Sequence, residues 1–171
     1  MFLREIEEKD IKDINSWRGD RESVENLGTS FNYINLDIDK SWYQSYLNSR
    51  NNNVRLAICV DESNLIGVVY LTNINWIHRR AEFSIWIGNK AHQGKGYGKL
   101  AAKLMLQHAF NDLNLHSLFL TVLKSNNRAI ELYKKIGFIE IGCLPEYLFK
   151  DGMYVDMISM SLVNNLSNYK K

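Results

Sequence analysis

Gln93-Gly94-Lys95-Gly96-Tyr97-Gly98 is the stretch on which the reading of this chain turns. Three glycines alternate with Lys95 and Tyr97, behind a strand-like apolar run and ahead of a helical one. Glycine lets a backbone take positive φ and come close to a ligand. Successive N–H groups in such a turn point one way, and the helix behind adds its positive end. The expected product is a pocket for a phosphate or pyrophosphate, with Lys95 and Lys99 adding positive charge. A plain glycine turn that caps a helix is the competing reading. Two familiar phosphate loops do not fit. The dinucleotide fingerprint needs G-x-G-x-x-G after the first strand of a βαβ unit, whereas the spacing here is G-x-G-x-G, late in a strand meander. The P-loop needs four residues between its glycines, then Lys and Ser or Thr. Gly88 and Gly94 are separated by five residues, and Gly96 stands where the hydroxyl belongs.

Outward from the loop, hydrophobic spacing gives the elements. Upstream, Glu82 to Ile87 reads as a strand with Phe83, Ile85 and Ile87 on one face and Glu82, Ser84 and Trp86 on the other. Val54 to Val60 and Leu65 to Leu71 read as a hairpin turned at Asp61 to Asn64. Phe2 to Ile6 is a short strand. Asp10 is placed to cap a helix towards Trp17, residues 19–37 read as loop with a helical turn, and Asp39 precedes a helix through Leu47. Downstream, a helix from about Tyr97 to Leu113 has apolar pairs pointing in different directions, which predicts a mostly buried helix. Ser117 to Leu123 is apolar on both faces, as a central strand is. Asn126 to Ile136 is a helix that Gly137 ends. Phe138 to Cys143 and Tyr154 to Leu162 close the sheet, joined by a loop through Pro145 and Asp151-Gly152. The sum is one mixed α/β domain over residues 1–165, with 166–171 as a C-terminal tail.

Composition bounds the function. The 171 residues carry a net charge of +2, too mild for the concentrated basic face that nucleic acid wants. No run approaches the ~18 apolar residues that span a membrane, and no charged leader precedes an apolar stretch. Cys59 and Cys143 sit in apolar sequence surroundings and make no disulfide framework, which suits a reducing cytoplasm. No histidine pair has metal-ligand spacing, so no catalytic metal is expected.

Two motifs then make the chain recognisable. Gln93 to Gly98 resembles the Q/R-x-x-G-x-G/A signature of the GNAT superfamily of N-acetyltransferases. Asn126-Asn127-Arg128-Ala129-Ile130, with Leu132-Tyr133 and Gly137-Phe138, resembles that superfamily's second motif. The resemblance runs from Leu3-Arg4 to Ser161-Leu162 and is nearest the group of spermidine, ribosomal-protein N-terminal and nucleotide-amino-sugar N-acetyltransferases. It implies the GNAT fold: a mostly antiparallel sheet of six to seven strands flanked by about four helices. It implies acetyl-CoA as co-substrate, an amine as acceptor, and homo-oligomers of two or more copies. Carried over residue by residue, backbone groups of Ile85, Trp86 and Ile87 would hold the pantetheine arm. Gln93, Gly94, Lys95, Gly96, Tyr97, Gly98 and Lys99 would wrap the pyrophosphate. Asn126 would hydrogen-bond the pantetheine, Arg128 would reach a phosphate, and Tyr133 would stand beside the sulfur.

The chemistry adds two catalytic expectations. A free alkylamine has a pKa near ~10.4 and must lose a proton before it attacks a thioester, and the departing thiolate needs a proton or its equivalent. Glu82 is the expected base, through water, and Tyr133 the expected acid. Against these stand a core role for Tyr133, an edge charge at Glu82, and His78 as the base instead. His92 is expected to position the loop, and His108 and His116 to be structural. The acceptor is left between a polyamine, a nucleotide-linked amino sugar and a protein N-terminus, with a non-catalytic acetyl-CoA-binding module as the non-enzyme alternative. Residues 24–47 offer only Glu25, Asp37 and Asp39 as acids, and Asn73 stands where polyamine enzymes of the resembled group carry a carboxylate. The aromatic run Phe31, Tyr33, Trp42, Tyr43 and Tyr46 suits a sugar or nucleobase, or the core.

Overall fold

The computed structural model describes residues 1–164. Seven strands form one sheet: β1 (Phe2–Glu5), β2 (Val54–Cys59), β3 (Leu65–Asn75), β4 (Arg80–Trp86), β5 (Ser117–Leu123), β6 (Ile139–Lys150) and β7 (Met153–Val163). Their order across the sheet is β1-β2-β3-β4-β5-β7-β6. Every neighbouring pair is antiparallel except β4 and β5, which run parallel with a helix in the crossover between them. Five α-helices flank the sheet: α1 (Ile11–Arg18), α2 (Arg21–Val24), α3 (Leu36–Asn48), α4 (Tyr97–Gln107) and α5 (Asn127–Lys135). This agrees with the expected fold of about four helices, the fifth, α2, being a single turn capped by the Asp20 side chain on the Glu22 amide. The end of the expected domain at 165 and the tail 166–171 lie outside the described residues.

Each sheet face carries its own core. On one, Val69, Leu71, Phe83 and Leu118 pack against Ala101, Ala102 and Met105 of α4 and Ile130 and Tyr133 of α5. On the other, Ala57, Cys59 and Val68 pack against Ile11 and Ile14 of α1 and Tyr43 and Tyr46 of α3. Both faces of β2 are therefore covered, and Cys59 is buried, which pushes its thiol pKa up.

Several local expectations are corrected. Asp10 does not cap α1. It is buried, taking both guanidinium nitrogens of Arg4 at 2.6 and 2.7 Å and the Glu7 amide at 2.8 Å. Asp39 lies inside α3, whose cap is Asn35 on the Ile38 amide. Asp39 is fully buried between Arg18 and the Asn15 side-chain amide, pinning α3 to α1. α4 passes into a π-turn at His108–Asp112, and its Leu100 and Leu104 are 52% and 39% exposed, so it is one-sided rather than mostly buried. Pro145 sits within β6 at a register shift, where an edge strand tolerates a residue with no N–H to give. The β6–β7 turn is only Asp151-Gly152, both at positive φ, the geometry of a tight two-residue hairpin. Cys143 is exposed on that edge strand rather than set in apolar surroundings.

Candidate active site

The parallel pair creates the site. β4 meets β5 only from Arg80↔Ser117 to Glu82↔Phe119, although β4 continues to Trp86 and β5 to Leu123. On its other side β4 stays paired with β3 as far as Trp86↔Val68. The strands β4 and β5 therefore splay beyond Glu82, and the β5-facing peptide groups of Phe83 to Trp86 line a cleft. A cavity of about 640 Å³ opens at its end.

Eleven of the expected donor-side residues line this cavity: Ile85, Trp86, Ile87, Gln93, Gly94, Gly96, Tyr97, Gly98, Lys99, Asn126 and Arg128. Tyr133 lines it as well. Lys95 is exposed and is not part of the lining. Gly94 and Gly96 hold φ of 78° and 86°, a conformation that costs an L-residue roughly 1–2 kcal/mol. Gly96 is the N-cap of α4, so the loop delivers its amides and the helix its positive end to one place. A Cβ on Gly94 would stand 3.7 Å from an Arg128 guanidinium nitrogen, so Arg128 crosses the mouth of the loop. The Gln93 side chain donates to the Ile87 carbonyl at 2.9 Å and ties the loop to the end of β4. Asn126 is less free than expected. Its Oδ1 caps α5 on the Ala129 amide at 3.0 Å, and its Nδ2 donates to the Asn26 carbonyl, also at 3.0 Å. Among the described residues, no three His, Cys, Asp or Glu side chains are grouped to hold a metal ion.

Tyr133 is 7% exposed, packed by its ring against Phe83 and Phe138. Burial pushes its pKa up to about 12, so its hydroxyl stays protonated through neutral pH. It is thus both a core residue and a cavity residue.

Glu82 stands apart from Tyr133's cavity. It lines a second one, of about 450 Å³, on the α1–α3 face of the sheet, and accepts from the Asn73 side-chain amide at 3.0 Å. His78 lies in the exposed β3–β4 turn and lines neither cavity. His92 stacks on Tyr97 at 5.7 Å beside the loop. His108 contacts Asp112 on the far end of α4's extension. The two cavities meet: Leu27, Ile85 and Trp86 line both.

The second cavity holds residues that sequence reasoning missed. Arg18, Arg55 and Tyr70 line it, from α1, β2 and β3, together with Trp42, Phe31 and Trp86. Only the pairing register brings Arg55, Tyr70 and Ser84 side by side. Of the aromatic run, Tyr43 and Tyr46 are core, whereas Trp42 and Phe31 line the cavity. A second omission is Lys150. Its ammonium is buried and donates to the Val24 and Thr29 carbonyls at 3.2 and 2.7 Å. With Ser30 Oγ donating to the Phe149 carbonyl at 2.7 Å, it anchors the loop after α2, which walls both cavities.

The comparisons with known proteins agree with this geometry. Residues 1–139 match the family described as Acetyltransferase (GNAT) domain. The chain is 35% identical over 157 residues to spermidine N(1)-acetyltransferase of Vibrio cholerae, covering 86% of this chain and 90% of the relative. It is 45% identical over 96 residues to spermidine N(1)-acetyltransferase of Escherichia coli K12, covering 56% and 51%. A crystal structure of spermidine N-acetyltransferase from Vibrio cholerae, in complex with CoA and spermine, superposes with a TM-score of 0.89 at 34% identity, over 95% of this chain and 94% of that one. Splayed strands, glycine loop and whole-chain similarity lead to one conclusion: the chain belongs to the GNAT family of acetyl-CoA-dependent N-acetyltransferases.

Proposed function

We propose that this enzyme acetylates the primary amine of a small molecule, with the donor in the glycine-loop cavity and the acceptor in the second one. The observation that carries this reading is the shared wall at Leu27, Ile85 and Trp86, which lets an amine in one cavity reach a thioester in the other. Holding both partners there converts a bimolecular reaction into a unimolecular one, the largest single gain open to such a site. Acetyl-CoA supplies the activated acyl group. The peptide groups of Ile85, Trp86 and Ile87 align the pantetheine arm as an added strand. The amides of Gln93 to Lys99, with Arg128, hold the phosphates. Asn126 fixes the start of α5 and with it the position of Tyr133. Tyr133 gives its proton to the leaving sulfur. Glu82 takes the amine's proton through water, steadied by Asn73. A main-chain N–H near Ile87 donates to the carbonyl oxygen as charge develops there.

The activity of these relatives makes a polyamine of the spermidine type the first acceptor reading for this chain. A second reading is favoured by the cavity lining: the aromatic walls of Trp42, Phe31 and Trp86 and the cations Arg18 and Arg55 suit an amino sugar or another amine that carries an anion. The domain is proposed to extend to residue 165, and assembly into dimers or larger oligomers is proposed from the resemblance alone. A thiol-release assay over polyamines, UDP-amino sugars and N-terminal peptides tests the proposal. Release with at least one small-molecule amine is expected. Release with peptides only would move the function to protein N-termini, and release with none would remove the transfer reading.

A further inference from the structure

Arg55 is the one cation of the second cavity that meets no carboxylate. Its guanidinium stands 4.7 Å from the ring centroid of Tyr70, 5.1 Å from Trp42 and 5.7 Å from Tyr46. Its Nε is buried with no hydrogen-bond partner. Among the described residues it makes no ion pair, and the nearby acids are already engaged. Asp39 is held by Arg18 and Asn15, Glu5 by Arg50 and the Tyr46 hydroxyl, and Glu82 by Asn73. A charge taken out of water among rings gains some cation–π attraction, but its buried Nε–H needs an acceptor that rings do not supply. Burial pushes the Tyr70 phenol up to about 12, against the opposing charges of Arg55 and Arg18 and a hydrogen bond from the Arg55 side chain. A second ammonium on a bound acceptor would face Arg55 and be repelled. A carboxylate or phosphate would meet a preformed donor fork.

We infer that Arg55, framed by Trp42 and Tyr70, is an anion subsite within the acceptor cavity, selecting primary amines that also carry a carboxylate or phosphate. The inference rests on the second cavity being the acceptor site, and it decides between the two acceptor readings in favour of the anionic one. Matched pairs of amines isolate the charge: cadaverine against lysine, which adds a carboxylate, and glucosamine against glucosamine 6-phosphate. Spermidine is measured alongside. The expected result is a kcat/KM at least about ten-fold higher for the anionic member of a pair, as a charge-assisted fork supplies. That advantage should vanish in Arg55→Met, which keeps the stem, and partly return in Arg55→Lys. Acetyl-CoA affinity, unchanged in both variants, confirms their folding. The pair in which the advantage appears tells carboxylate from phosphate. Equal kcat/KM within both pairs, spermidine outrunning the anionic amines, or an advantage that survives Arg55→Met would each overturn the inference. Quenching of tryptophan fluorescence by glucosamine 6-phosphate, and its loss in Arg55→Met, reads the subsite without turnover. Binding that depends on Arg55 without any acetylation would uphold the subsite and reject the transfer reading instead.

Discussion

In the proposed reaction Tyr133 serves packing and chemistry together. Its ring packs against Phe83 and Phe138, and the residue also lines the glycine-loop cavity. Burial favours the neutral phenol, which is the form an acid needs. Tyr133→Phe keeps the ring and removes only the proton donor. Turnover should fall by about ten-fold or more, with acetyl-CoA binding unchanged by calorimetry. Unchanged turnover would return Tyr133 to a purely structural role. The same shift sets a stability trend at high pH. Below pH 10 the phenol is neutral in folded and unfolded chains, and the folded state keeps its full advantage. Between 10 and about 12 only the unfolded chain ionises there, so stability falls as pH rises. Urea midpoints at pH 8 and pH 11 should converge in Tyr133→Phe relative to the parent, though Tyr70 keeps part of the slope.

At the scale of elements, the contact that decides the acceptor face joins α1 to α3. Asp39 is fully buried, and Arg18 reaches it while remaining 35% exposed at the cavity wall. Breaking a fully buried pair costs about 3–5 kcal/mol. Arg18 can recover some hydration, so Asp39→Ala should cost about 2–3 kcal/mol in denaturant unfolding. An unchanged midpoint would show that the two helices hold together without it. The strands were legible because their period of two survives in the sequence, as does the terminating Gly137. Asp39 was misread because a buried acid inside a helix looks like a cap one turn early. Pro145 was misread because proline signals a loop unless the strand is known to be an edge. The acceptor cavity was not legible. Arg18, Arg55 and Tyr70 are tens of residues apart, and only the sheet register and the packing of α1 bring them together. The donor loop, by contrast, is local: six consecutive residues carry its geometry.

At the scale of the molecule, the parallel β4–β5 pair organises everything. Its splay turns peptide groups of β4 towards a cleft on the crossover side, proposed for the donor, and Glu82 and Trp86 line the cavity proposed for the acceptor on the opposite face. The loop after α2, tied down by Lys150 and Asn126, borders both cavities. One titration tests this arrangement most directly: acetyl-CoA into the parent protein and into Gly96→Val, followed by calorimetry. Valine at a φ of 86° cannot hold the loop that starts α4, and its side chain narrows the phosphate cradle. The account predicts saturable binding to the parent and none to a variant whose circular dichroism shows it folded. Equal binding by both would place the donor elsewhere and contradict the account at its centre.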